Sequence, residues 1–179
     1  MDFGNNMWTH PPEWHSPNAV SAIVYYMVGM RDGFEYFATF VLINFLFSTV
    51  AYTLGLFISS AVHNQAVALQ VEPLIMLPFM LLSGFYLSLD SIPVYLRWVE
   101  AISFIKYGFR ALIVNEFEGR SWTCHSTDPN CISTGDGQIA SLGMEDASVW
   151  EDCAVLAGFI AGFYLVSYLL LRFARGKRA

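Results

Sequence analysis

The stretch YFATFVLINFLFSTVAYTLGLFISSAV, from Tyr36 to Val62, contains no charged residue in 27 positions. A helix that spans a bilayer needs about 20 consecutive apolar residues, so this run predicts a membrane span. At 1.5 Å per residue it would be about 40 Å long and must tilt or protrude. Asn44, Ser48, Thr49, Thr53 and Gly55 punctuate the run. Small and hydroxyl side chains of this kind let helices approach closely and bond across their interface.

Outward from this run the pattern repeats. A polar break, His63-Asn64-Gln65, separates it from a second apolar stretch over 66–89, which Glu72 interrupts and which Pro73 and Pro78 should bend. A third stretch, 154–171, precedes a basic tail of Arg172, Arg175, Lys177 and Arg178. Before the first run, the 12 apolar residues 19–30 form either a truncated span or an interfacial segment, and Arg31-Asp32-Gly33 with Glu35 makes a polar knot after it. Residues 1–18 are polar, proline-rich and aperiodic and predict a loop. Over 90–118, Trp98, Ile102, Ile105 and Phe109 recur at helical spacing between Arg97, Glu100, Lys106 and Arg110, the pattern of an amphipathic helix in or dipping into the interface. Residues 119–153 are polar, and Thr134-Gly-Asp-Gly137 predicts a turn.

Composition agrees with lipid as the solvent. Of 179 residues, 55% are hydrophobic and 13% charged, against about a quarter charged in a soluble domain; the mean hydropathy is +0.46. The net charge of −6 conceals a sorting of sign: between Glu116 and Asp152 there are eight acids and one base, Arg120, while the tail from Arg172 holds four bases and no acid. No basic stripe for nucleic acid exists apart from that tail. The positive-inside rule places the tail in the cytoplasm, which puts 90–153 and the Arg31–Glu35 knot outside and the break at 63–65 inside.

Cys124, Cys131 and Cys153 all fall in the segment assigned outside, where disulfides persist. Three cysteines allow three single pairings. Cys124 with Cys131 is favoured, since a polar six-residue loop can bring those ends together, and Cys153 is then free at the membrane edge or bridges two chains. The sequence contains neither G-x-x-x-x-G-K-[ST] nor G-x-G-x-x-G, so nucleotide binding by those routes is excluded, and the chain is not expected to be an enzyme. The four histidines show no H-x-x-x-H pairing, so no metal site is expected. A mid-span carboxylate costs about 2.5–3.5 kcal/mol to insert, which leaves two readings of Glu72. It lines a pathway, or it lies about 10 Å in and reaches the cytoplasmic face. Met76, Phe79, Met80, Phe85 and Tyr86 line a greasy pocket or serve packing.

One succession of motifs is specific in order and spacing: Pro78-Phe-Met-Leu-Leu-Ser-Gly-Phe-Tyr86, Ser91-Ile-Pro-Val-Tyr-Leu-Arg-Trp98, Ser103-Phe-Ile-Lys-Tyr-Gly-Phe-Arg-Ala-Leu112 and Asn115-Glu-Phe-Glu-Gly119. With Tyr25-Tyr-Met-Val-Gly-Met30, the cysteine loop and the closing Leu-Leu-Leu-Arg172, it resembles the C-terminal membrane region of the ABCG (White-type) half-transporters, of ABC-2 type. The resemblance implies an all-α integral membrane protein, an ABC-2 type helical bundle fragment whose runs are the end of the third helix and the fourth, fifth and sixth. Residues 90–118 are then a re-entrant segment and 119–153 the external loop.

The resemblance further implies a dimeric exporter of lipid-like or amphipathic small molecules in the plasma membrane, powered by ATP and magnesium in a nucleotide-binding domain that these 179 residues do not contain. Gln70, Leu74, Leu77 and Met80 on the fifth helix would line the central pocket. Phe85 and Tyr86 would form the upper gate, and the external loop would hold a disulfide. The alternative is a truncated, non-transporting partner that dimerises with full-length half-transporters and modulates them.

Overall fold

The computed structural model describes residues 15–62, 64–83, 97–123, 132–144 and 147–176. These form seven helices: α1 (His15–Val28), α2 (Phe34–Ala61), α3 (Gln65–Leu81), α4 (Arg97–Ile102), α5 (Phe104–Phe117), α6 (Gly135–Ser141) and α7 (Val149–Gly176). Among the described residues the only β-type pairing is an isolated bridge between Ser121 and Thr134. The all-α class expected from the sequence is therefore what the chain adopts.

Helices α2 and α7 are long and apolar enough to cross a membrane; α3 is apolar but shorter. Helix α2 starts two residues before the uncharged run, because the break is set by Gly33 rather than by the charge of Glu35. Gly33 has φ 144°, a conformation open to glycine. Glu35 sits in the first turn, where the helix dipole favours an acid. Helix α3 runs through both prolines and ends at Leu81, short of the expected 89; residues 84–96 lie outside the described set.

Three further expectations are corrected. Helix α1 begins at His15, inside the stretch read as a loop. Thr134-Gly-Asp-Gly137 opens α6 rather than forming a free turn: the Thr134 side chain accepts a hydrogen bond from the Gly137 N–H, the N-cap role that competes with turn chemistry at such residues. Helix α7 begins at Val149, five residues before the apolar run, and takes Glu151 and Asp152 into its first turn. Asp152 tolerates this position because Arg110 meets it inside the bundle.

Helix α7 packs most extensively on α2 and α5, and α2 also holds α1, α3 and α5. Phe57 of α2 meets Phe163 of α7, and Ile43 clusters with Cys153, so these two long helices run parallel. The main core joins Val50, Leu54 and Ile58 of α2 with Phe104 of α5 and Leu156 of α7.

The course of α5 defines the architecture. Its first residue, Phe104, lies 5.5 Å from Phe47 between ring centroids. Near its other end, the Asn115 side chain donates to the Tyr36 carbonyl at 3.1 Å. Phe47 is thirteen residues into α2, about 20 Å along a helix at 1.5 Å per residue, whereas Tyr36 is in its first turn. Helix α5 thus starts at the middle of α2 and climbs back to the end of α2 that carries the polar knot. Over 97–118, the described part of the segment expected to be re-entrant, the chain forms two helices with Ser103 between them; residues 90–96 lie outside the described residues. The break also divides the predicted apolar face. Trp98 and Ile102 of α4 are exposed, while Ile105 and Phe109 of α5 pack on the core clusters.

Candidate functional site

Helix α3 has two unlike faces. Ala68, Val71, Ile75, Met76 and Phe79 pack against the main core. Leu74, Leu77 and Met80 are exposed by 68%, 58% and 42%, and Gln70 is exposed beside them. At about 100° per residue, the four expected pocket residues fall within one third of the helix circumference. The structure therefore brings Gln70, Leu74, Leu77 and Met80 together on one outward, mostly apolar face. Glu72 points the other way, in register with Ala68, Ile75 and Phe79. Its side chain is half-buried, and none of the hydrogen bonds or ion pairs between described residues involves it.

Support for α3 comes from the re-entrant helix. The Ser103 hydroxyl, fully buried, donates to the Phe79 carbonyl at 3.0 Å, which ties the tip of α5 to the last turns of α3. The Phe104 ring stands edge-on to Phe79 at 6.4 Å. At the same corner Lys106 pairs with Glu100, whose side chain is buried. This ion pair lies within one turn of Phe104 in the main core, and pairing offsets the cost of burying both charges.

One turn further along α5, Arg110 reaches α7. Its Nε donates to both carboxylate oxygens of Asp152, at 3.0 and 2.9 Å, and its Nη2 donates to one of them. Asp152 is fully buried, so its desolvation must be offset by this two-point pairing. Packing is equally tight on the α2 side: a Cβ at Gly108 would lie 2.5 Å from Cδ2 of Phe47. No larger residue fits while that ring stays in place.

The polar knot closes the same end of the bundle. The Arg31 N–H donates to Glu116 Oε2 at 3.1 Å, its guanidinium donates to the Glu118 carbonyl at 2.7 Å and lies 3.7 Å over the Tyr36 ring. Arg120 pairs with Glu116, and the Gly119 N–H donates to Asp136. The knot and the start of the acidic segment therefore share one side of the bundle, as the charge sorting required.

Cys153 is a free thiol. It is 7% exposed and packed with Ile43 and Ala111, in the first turns of α7 and not in the loop to which the sequence assigned it. Phe85 and Tyr86, expected as a gate, and Cys124 and Cys131, expected as a disulfide, lie outside the described residues. Among the described residues no group of acidic, histidine or cysteine side chains is arranged to hold a metal.

Sequence reading missed the Arg110–Asp152 clamp and the Asn115 and Ser103 hydrogen bonds. The signal for the clamp was available: an arginine in a helix whose neighbours are apolar, and an acid two residues before an apolar run. The partners are 42 positions apart, and nothing in one sequence couples them.

The arrangement has counterparts. A family profile described as ABC-2 type transporter matches residues 16–117. Protein white of Drosophila melanogaster is 33% identical over 159 residues, which cover 87% of this chain and 23% of that protein. ABC transporter G family member 1 of Dictyostelium discoideum is 34% identical, over 87% of this chain and 21% of its own length. The ABC transporter ATP-binding protein/permease wht-1 of Caenorhabditis elegans is 27% identical, over 87% and 24%. The chain spans about a quarter or less of the length of these relatives.

Proposed function

Since the chain belongs to the ABC-2 type transporter family, as an integral membrane domain of the White and ABC transporter G kind, we propose that it forms part of the translocation route of an exporter for lipid-like or amphipathic small molecules. One observation carries this reading: Gln70, Leu74, Leu77 and Met80 share an outward face of α3 that no described residue covers, while the opposite stripe of the same helix is fixed to the bundle. A second half-transporter facing this surface would close it into a pocket. The lining would be apolar with one amide, which suits a ligand that carries a large apolar body and a single polar group.

In this proposal the work comes from a nucleotide-binding domain that holds ATP and magnesium. This chain contributes the wall. A ligand moves only if the wall binds it with different affinity in two states. The re-entrant tip supplies a lever for such a change, because Ser103 and Phe104 tie α3 to α5 and Arg110 ties α5 to α7. The basic tail is assigned to the cytoplasm and 119–153 to the extracellular or lumenal side.

The test joins the chain to a G-family nucleotide-binding domain in cells loaded with a fluorescent amphiphile and measures ATP-dependent efflux. Leu74→Trp and Leu77→Trp, which fill the surface, should abolish efflux without loss of the protein from the membrane. Efflux at the unmodified rate in both variants would reject this face as the route.

A further inference from the structure

A cavity of about 220 Å³ opens at the corner between α1 and α2, away from the face of α3. Tyr25, Tyr26 and Gly29 line it from the end of α1, and Asp32, Phe34 and Phe37 from the turn and the start of α2. The rings of Tyr25, Tyr26 and Phe37 form a continuous aromatic floor. Tyr25 meets Tyr26 edge-on at 5.9 Å and Phe37 edge-on at 5.1 Å, and Tyr26 meets Phe37 at 5.6 Å. Tyr25 is buried and its hydroxyl is held by the Arg31 carbonyl, whereas Tyr26 and Phe34 stand open, at 75% and 82% exposure. Asp32 adds a carboxylate that no described residue pairs with.

We infer that this corner binds a quaternary ammonium group, of the kind carried by a choline headgroup. Three features decide the ligand class. Aromatic faces attract cations through their quadrupole, and the adjacent Tyr36 already carries the Arg31 guanidinium at 3.7 Å, so this corner uses that interaction once. The surroundings favour positive charge: Asp32 lines the cavity and the Glu116 carboxylate accepts from the Arg31 N–H beside it, while the Arg31 and Arg120 guanidiniums are both engaged in bonds. The lining offers one carboxylate among rings, which matches a methylated ammonium that donates no hydrogen bond; a primary ammonium brings three donors that need acceptors. The source of the group follows from depth. The cavity sits where the uncharged run of α2 begins, the headgroup level at which amphipathic rings collect.

The inference is independent of transport, and its test involves none. The full chain is placed in phosphatidylglycerol nanodiscs, and saturation transfer from protein aromatic protons to N-methyl protons is titrated with dihexanoylphosphatidylcholine and, separately, with choline chloride. Dihexanoylphosphatidylcholine should saturate, and Tyr26→Leu and Asp32→Asn should each weaken its apparent affinity about five-fold. Trp150→Leu, an exposed aromatic at the same end of α7, should leave it unchanged. Tighter binding of the phospholipid than of choline assigns a lipid headgroup; equal binding assigns a soluble quaternary ammonium to the same site. Wild-type affinity in both corner variants, or an equal loss in Trp150→Leu, would overturn the inference. Both corner positions are exposed, so neither substitution should disturb folding.

Discussion

Helices α3 and α5 exchange the roles their compositions suggest. Helix α3 has one charge in 17 residues and would be a core helix in water. None of its described side chains is fully buried, and Leu69, Leu74, Leu77, Met80 and Leu81 face outward. Helix α5 carries Lys106, Arg110 and Glu116 in 14 residues and would be a surface helix in water. Yet Phe104, Gly108, Ala111, Val114 and Asn115 are buried, and it touches α2, α3, α6 and α7. The difference follows from the solvent. Lipid tails are as apolar as leucine, so hydrophobicity no longer sorts inside from outside, and close packing and internal hydrogen bonds do. Small residues and paired polar groups draw α5 inward.

The comparison breaks most readily at its charged point. Asp152→Ala leaves Arg110 in the bundle without its partner, and loss of one member of a buried pair costs about 3–5 kcal/mol. The expected result is a large fall in the unfolding midpoint in mixed micelles, followed by circular dichroism. The double variant Arg110→Met with Asp152→Leu should recover most of it, since an apolar replacement of both partners is often neutral. No recovery would mean that the carboxylate serves something other than Arg110.

A smaller effect is expected at the closest approach of α5 to α2. Gly108→Leu forces a side chain onto Phe47, and overpacking of this kind costs about 1–3 kcal/mol. Phe47→Ala in the same chain should relieve part of the loss. Independent, additive losses from the two substitutions would show that the ring and the glycine do not meet.

The least effect belongs to α3. Leu74→Ala and Leu77→Ala remove side chains that touch no core, so the unfolding midpoint should move by less than about 0.5 kcal/mol equivalent. A loss as large as that at Gly108 would place the face of α3 inside the bundle and erase the distinction between the two helices.

How much of this was legible depends on range. The uncharged runs, their breaks and the sorting of charge are local signals, and they gave the membrane class, the long helices and the shared side of the Arg31 knot and the acidic segment. The outward alignment of Gln70, Leu74, Leu77 and Met80 came from a resemblance and then followed from helical periodicity. What failed was local as well: the start of α7 was placed by the edge of apolarity, although a paired acid such as Asp152 can enter a helix, and Thr134 was read as a turn when its hydroxyl caps one. The contacts that fix α5, from Ser103 to Phe79, Arg110 to Asp152 and Asn115 to Tyr36, join residues 24, 42 and 79 positions apart. Each group is unremarkable in its own neighbourhood, and only the fold pairs them.

The depth of the α4–α5 corner tests the account most directly. A spin label at Ile102, which is 49% exposed, can be compared in lipid with labels at Tyr52, deep in α2, and at Trp150, at the start of α7, by collision with oxygen and with a water-soluble nickel chelate. The re-entrant course predicts that Ile102 resembles Tyr52, rich in oxygen collisions and shielded from nickel. A label at Ile102 that behaves like the one at Trp150 would place α4 and α5 at the surface and contradict it.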